Sequence, residues 1–224
     1  MSNAHEQAQP CHHTIGDEID VVPGIPPVPI TVWRTPSDEP GPHLGPRLAA
    51  RLLAAYTRGG DTIYDTTGDP VLRQATTTTG RHYHTSGSGR ARAKVQPVAL
   101  AVTAWPTRDE DSDLDPVVVY GGLRRRLRPG GILAVILATD ETNQPVDAAG
   151  LVDVAAAAGL SYLQHIVAVH ATATGDQLTP PDHPTASPAP AGAAHIRVHR
   201  DLMIFTRNGI APSSTGLKGG RDDA

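Results

Sequence analysis

The chain has 224 residues and a formal net charge of −4, which suits one sizeable α/β domain with tails and excludes a surface that grips nucleic acid over its whole extent. Hydrophobic residues make up 39% and aromatics 4%, so the expected core is aliphatic and confined to the runs where Ala, Val, Leu and Ile gather. Cys11 is the one cysteine, which excludes an intrachain disulfide and a thiolate zinc cluster and points to a reducing, cytoplasmic home. The apolar stretches Val98 to Trp105 and Gly131 to Ala138 are strand-length, well short of the roughly 20 residues a membrane helix needs. No apolar run behind a basic start opens the chain, so neither export nor membrane contact is expected.

Pro, His, Gln and acidic residues dominate Met1 to Pro36, and PGIPPVPI favours polyproline geometry. A mobile leader is therefore expected, becoming extended at its end, with Ile30, Val32 and Trp33 available to dock on a domain spanning 37–207. A helix from His43 to about Thr57 places Leu44, Leu48, Leu52, Leu53 and Tyr56 at helical spacing and turns Arg47, Arg51 and Arg58 to another face. Gly59 and Gly60 end it.

Asp61 to Pro70, DTIYDTTGDP, reads as a short strand followed by a small-residue turn around Gly68 and then a helix from Val71 to Thr79. Such a turn lets backbone approach a ligand, and a helix start offers free N–H groups to a nucleotide-like one. A plain strand-to-helix connection without a ligand is the alternative. Four consecutive threonines resist the helix that follows.

Arg81 to Thr85 alternates as a second strand, and SGSGRARAKVQP follows as a linker. Its Arg90, Arg92 and Lys94 make either a local basic loop for phosphate or nucleic acid, or a solvated connection. VALAVTA, Val98 to Ala104, is the expected centre of a parallel sheet because it is apolar on both faces. Asp115 and Pro116 start a helix that runs to about Arg128, with Pro129, Gly130 and Gly131 as its stop and Arg124, Arg125 and Arg126 complementing its dipole. Ile132 to Ala138 is a buried strand, Asp147 to Ala158 a small-residue helix, and Leu160 to His170 a longer strand. Residues 172–194 lack periodicity and are expected to be mobile, His195 to Arg207 is the last strand, and 208–224 an unstructured tail. The last two strands are expected to pair as an antiparallel hairpin at the sheet edge.

This order resembles the class I S-adenosylmethionine-dependent methyltransferase fold over roughly Trp33 to Arg207. It implies a Rossmann-like doubly wound α/β sheet, mostly parallel, with a C-terminal antiparallel hairpin. PHLGPRLAARLLAAYTRGGDTIYDTTGDP is similar to the region of DNA N4/N6 amino-methyltransferases in which a leucine-paired helix leads into a D-x-x-x-D-x-x-x-G-type strand and turn, and HRDLMIFTR is similar to their last strand. The resemblance implies S-adenosylmethionine as cofactor, held at Asp65, Thr66, Thr67, Gly68 and Asp69.

The sequence also departs from that family. Its turn has a single glycine, and no acid follows the second strand to accept from ribose hydroxyls. The family's Asn, Asp or Ser followed by Pro-Pro and an aromatic becomes VTAWPT. Aligned on Pro106, Ala104 stands at the acceptor position and Thr107 at the ring position; shifted, Thr103 offers a hydroxyl and Trp105 a stacking surface. Thr103, Trp105 and Pro106 are thus the candidate catalytic residues, and Trp105 as a core cap is the structural alternative. Two functions stand side by side: a methyltransferase related to the DNA enzymes, or a catalytically inactive methyltransferase-fold module for binding or interaction. His195 and His199 share a strand face, as do His82 and His84, but neither pair has a third convergent ligand, so no metal is expected.

Overall fold

The structure is a computed structural model that describes residues 19–22, 30–36, 44–85, 97–106, 114–137, 148–174, 177–179 and 199–208. Thr62–Asp65 (numbered β3 in chain order, after two strands given below) is followed by helix α2, Pro70–Thr78, and by β4, His82–Thr85, which pairs with β3 in parallel. On the other side of β3 lies β5, Val98–Trp105, and beyond it β6, Leu127–Leu137, both parallel to β3. Helix α1, Pro46–Tyr56, precedes β3; α3, Pro116–Arg126, joins β5 to β6; α4, Ala148–Ala157, leads to β7, Ser161–Val169. The last strand, β10, His199–Thr206, inserts antiparallel between β6 and β7. This is an α/β doubly wound sheet, mostly parallel, carrying an antiparallel β7–β10 pair.

Two cores cover its faces. Leu48, Leu52, Leu53 and Leu72 from α1 and α2 pack on Ile63, Leu100, Val102 and Ile204, while Tyr120, Leu123, Leu151 and Ala155 from α3 and α4 pack on Ala101, Leu133, Val135 and Phe205. Alternate residues of β5 thus feed opposite cores, which is why its sequence is apolar at every position.

Three expectations need correcting. The chain before Pro36 contributes strands: β1, Ile19–Val22, pairs antiparallel with β2, Ile30–Arg34, and β2 runs parallel to β7. Trp33 is buried at 3% exposure against α1, stacked on Tyr56, while Ile30 and Val32 stay half-buried. β2 therefore extends the sheet past the β7–β10 pair, which lies inside the sheet rather than at its edge.

The RPGG stretch does not sit outside both elements. Helix α3 ends at Arg126, and Arg128 to Gly131 form a bulged amino end of β6, where the pairing shifts from Val98↔Leu127 to Leu100↔Ile132. Gly130 takes φ +71°, and a Cβ on Gly131 would stand 2.8 Å from the Arg128 carbonyl, so the bulge requires both glycines.

Within 172–194, Thr172–Thr174 (β8) and Gln177–Thr179 (β9) form a small antiparallel ladder. The rest of that stretch, His195, the 208–224 tail beyond Asn208 and the Arg90, Arg92 and Lys94 loop lie outside the described residues. Among the described residues no helix is long and apolar enough to cross a membrane.

Candidate functional site

The 65–69 turn leaves the carboxyl end of β3 and is held by its own carboxylates. Asp65, fully buried, accepts four bonds: its Oδ1 takes the Thr67 N–H at 2.8 Å and the Thr67 hydroxyl at 2.6 Å, and its Oδ2 takes the Asp69 N–H at 3.0 Å and the Tyr83 hydroxyl at 2.6 Å. A carboxylate has about four lone-pair sites, so Asp65 is saturated by protein donors. Burial and this bond to Asp65 push the Tyr83 phenol up to about 12, and the Arg73 guanidinium lies over the Tyr83 ring at 5.3 Å.

Asp69 caps α2. Its Oδ1 accepts from Val71 N at 2.8 Å and Leu72 N at 3.4 Å, and its Oδ2 accepts from Leu44 N at 2.8 Å, which ties the entry of α1 to the turn. The helix start that could have offered N–H groups to a phosphate has therefore given them to Asp69.

Gly68 sits at the crest with φ +70°, the left-handed region that disfavours a side chain, and open space surrounds the position a Cβ would take. Its N–H has no protein partner among the described residues. Thr66 and Gly68 are exposed and Thr67 half-buried, so the outer face of the turn is made by these three and not by the two aspartates beneath.

The second turn, at the carboxyl end of β5, is adjacent. Thr66 donates its hydroxyl to Thr103 Oγ1 at 2.8 Å and its N–H to the Val102 carbonyl at 3.0 Å, so a hydroxyl pair joins the two turns. Thr103 is 2% exposed. Its hydroxyl accepts the Thr66 hydroxyl, so Thr103 lies beneath the link between the two turns.

Trp105 is half-buried and meets Tyr120 edge-on at 6.0 Å, and Pro106, after a cis bond, is exposed. Tyr120 is fully buried, its hydroxyl has no partner among the described residues, and burial pushes its phenol up. One edge of Trp105 thus caps the second core while part of its surface remains open. Ala104 supplies no polar atom beyond its backbone. The arginines at the end of α3 staple neighbours: Arg126 covers the Tyr64 ring at 4.5 Å, and Arg124 Nε donates to the Gly159 carbonyl at 2.9 Å.

The sequence reading missed a further group on the same edge, on the face shared with Trp105. His165 Nε2 lies 2.9 Å from Asp201 Oδ1, and His199 Nε2 lies 3.3 Å from Asp201 Oδ2. His199 was visible as one of a pair with His195, but its partners came from the register of β7 on β10, which no local spacing encodes. Among the described residues no group of three or more such side chains is arranged to hold a metal ion.

No protein-family model matches the sequence, and no curated protein matches it. Solved structures similar to the chain include a methyltransferase from Pyrococcus furiosus, at 14% identity over 74% of this chain and 84% of that one, with a TM-score of 0.40. The N-methyltransferase NodS from Bradyrhizobium japonicum is 11% identical over 73% and 94%, with a TM-score of 0.41. A TehB-like S-adenosylmethionine-dependent methyltransferase from Corynebacterium glutamicum is 15% identical over 71% and 87%, with a TM-score of 0.40. At these values the functional reading rests on the chain's own residues.

Proposed function

We propose that the chain is an S-adenosylmethionine-dependent methyltransferase acting on a small acceptor, with the cofactor against the outer face of the 65–69 turn and the acceptor beside Trp105 and Pro106. The observation that carries this reading is the Thr66–Thr103 hydroxyl bond, which locks an open, left-handed glycine turn to the neighbouring turn that presents a partly open aromatic ring. Methyl transfer depends chiefly on holding two partners in one geometry, and a fixed link between their seats supplies that.

The turn fits such a cofactor through its backbone. Thr66, Thr67 and Gly68 would hold it, and Asp65 and Asp69, buried beneath them, would act as a rigid frame for the turn. When bound, the cofactor supplies an electrophilic methyl group. The chain's own residues orient it, stack the acceptor on Trp105 and exclude water with Pro106.

A DNA base amine is a poor acceptor for this site. Its lone pair is delocalised and needs acceptors to localise it, whereas Ala104 offers no side-chain oxygen and the Thr103 hydroxyl is buried. The loss of one such transition-state bond costs a factor on the order of 10² to 10³. A second reading, a binding module that kept the fold without the reaction, is favoured by the saturation of Asp65 with protein donors.

Labelled methyl from S-adenosylmethionine, followed into duplex DNA, single-stranded DNA and a panel of small phenols and amines, separates these readings. The proposal expects negligible transfer to DNA and transfer to a small acceptor that collapses in Trp105→Ala. Cofactor binding without transfer to any acceptor would establish the module instead, and robust transfer to DNA would overturn the small-acceptor reading.

A further inference from the structure

Strands β3, β4, β5 and β6 begin at the edge of the sheet opposite the two turns, helices α1, α2, α3 and α4 end there, and β10, antiparallel, finishes there. Arginines collect at this amino edge: Arg58 before β3, Arg81 before β4, Arg124, Arg125 and Arg126 in the last turn of α3, Arg128 at the start of β6 and Arg207 after β10. Among the described residues the one carboxylate at this edge is Asp61, which the Arg128 guanidinium grips with both arms, at 2.8 Å and 3.2 Å. Asp153 lies halfway along α4. The strand order β4, β3, β5, β6, β10 makes the row of arginines roughly 19 Å wide, at about 4.8 Å per strand spacing.

Structural bonds hold several of these groups without neutralising them. Arg81 donates to the Thr57 carbonyl at 3.0 Å and the Thr79 carbonyl at 3.1 Å, past the ends of α1 and α2, and Arg207 donates to the Arg124 carbonyl at 3.3 Å, in the last turn of α3. Arg124 reaches the Gly159 carbonyl beyond α4 in the same way. These acceptors are neutral, and the four helix ends behind them carry about −0.5 of a charge each, about −2 together. Seven guanidinium groups less Asp61 leave six positive charges, so about four stay unopposed in a chain whose formal net charge is −4. Arg58, Arg125 and Arg126 are exposed. The sequence joining this edge outside the described residues brings no surplus of acid: 23–29 has no charged residue, 86–96 has Arg90, Arg92 and Lys94, and 209–224 sets Lys218 and Arg221 against Asp222 and Asp223. The acidic runs, Asp109 to Asp113 and Asp140 with Glu141, belong to connections that leave from the opposite edge.

We infer that this amino edge docks the phosphodiester backbone of a nucleic acid, gripped through its charge and not through its bases. A duplex presents one negative charge per about 1.7 Å of axis, so a row of this width meets about eleven phosphates, and planar guanidinium groups match phosphate oxygens in pairs. A bilayer surface takes apolar side chains together with charge. Here the exposed Leu114 and Val118 stand at the opposite edge, at the start of α3, and Leu163 lies on β7, outside the row. The nucleic acid is thereby held away from the 65–69 turn and Trp105, which makes it a tether and not the methyl acceptor. The inference goes beyond the methyltransferase reading and stands without it.

Fluorescence anisotropy tests this with the full chain and labelled duplex DNA, single-stranded DNA and single-stranded RNA of about 20 nucleotides, at about 50 and about 200 mM salt. Wild type should bind at micromolar concentration at the lower salt and lose on the order of a hundredfold in affinity at the higher, the fall that about four phosphate contacts give, and the tightest of the three probes identifies the source of the backbone. Arg58→Gln combined with Arg125→Gln should weaken binding on the order of tenfold or more and flatten the log–log salt slope by about 2, at an unchanged melting temperature. Arg47→Gln combined with Arg200→Gln, which removes the same charge at the opposite edge, should leave affinity and slope unchanged. No binding by wild type at the lower salt, full binding by the amino-edge pair, or equal weakening by the opposite-edge pair would overturn the inference. Displacement of the labelled strand, charge for charge, by polyglutamate or by anionic vesicles would overturn it too, by assigning the edge to an acidic protein or to a membrane surface.

Discussion

Asp65 shows how one side chain can fix a turn. A buried carboxylate costs several kcal/mol of desolvation unless its lone pairs are met, and Asp65 meets them with Thr67, Asp69 and Tyr83. Tyr83→Phe removes one of these donors without changing shape and should cost about 1–3 kcal/mol in denaturant unfolding. The same bond has a pH signature. Burial and Asp65 raise the folded phenol to about 12 from its ordinary 10, so the unfolded chain loses this proton first and the stability it contributes is full below pH 10 and lost as pH rises toward 12. Melting temperature should accordingly fall more steeply between pH 10 and 12 in wild type than in Tyr83→Phe. Equal slopes would mean that the Asp65 contact does not form.

Helix α2 illustrates what local sequence can and cannot convey. Its Thr76 to Thr79 run argues against a helix, yet the Thr76, Thr77, Thr78 and Thr79 hydroxyls bond back to carbonyls of the preceding turn. That exchange of donors satisfies the side chains inside the helix and at its end. The start is set by Asp69, which serves α2 and the entry of α1 together; Asp69→Ala should cost about 2 kcal/mol, from a lost cap of typically 0.5–2 kcal/mol and from Leu44 N–H left without its acceptor. Thermal unfolding measures it, and a loss confined to a few tenths would show that the cap is exposed to water.

Elements with strong periodicity or two-sided apolar runs, α1, β5 and β6, were legible in the sequence because burial writes itself into spacing. β2 was not, since ITVWR follows a proline run and alternates only weakly; its place comes from a parallel ladder with β7, more than 130 residues away in the pairing Thr31↔Ile166. Trp33 is the anchor of that ladder, and Trp33→Ala should cost about 3–5 kcal/mol by emptying a fully enclosed indole site. Hydrogen exchange across 30–34 should slow in wild type and accelerate in that variant. The candidate site divides in the same way: Asp65 to Gly68 and Trp105 could be named from motif and turn chemistry, while the roles of Thr103 and of the His165, Asp201 and His199 cluster depend on which strands lie side by side.

For the whole molecule, strand order assembles the candidate site. Placing β3 beside β5 and β10 beside β6 brings a glycine turn, an aromatic ring and a carboxylate-ordered histidine pair to one edge of one sheet. A cofactor bound at the turn would stabilise the fold by mass action, by about 2.7 kcal/mol at a hundredfold excess over its dissociation constant. The most direct measurement is calorimetric titration of the full chain with S-adenosylmethionine, for wild type and for Gly68→Val, in which a branched side chain must adopt φ near +70° where the ligand would approach. The account predicts saturable binding with one site per chain in wild type and its loss in Gly68→Val, with helix and strand content unchanged by circular dichroism. No heat of binding in wild type, or equal affinity in the variant, would contradict it.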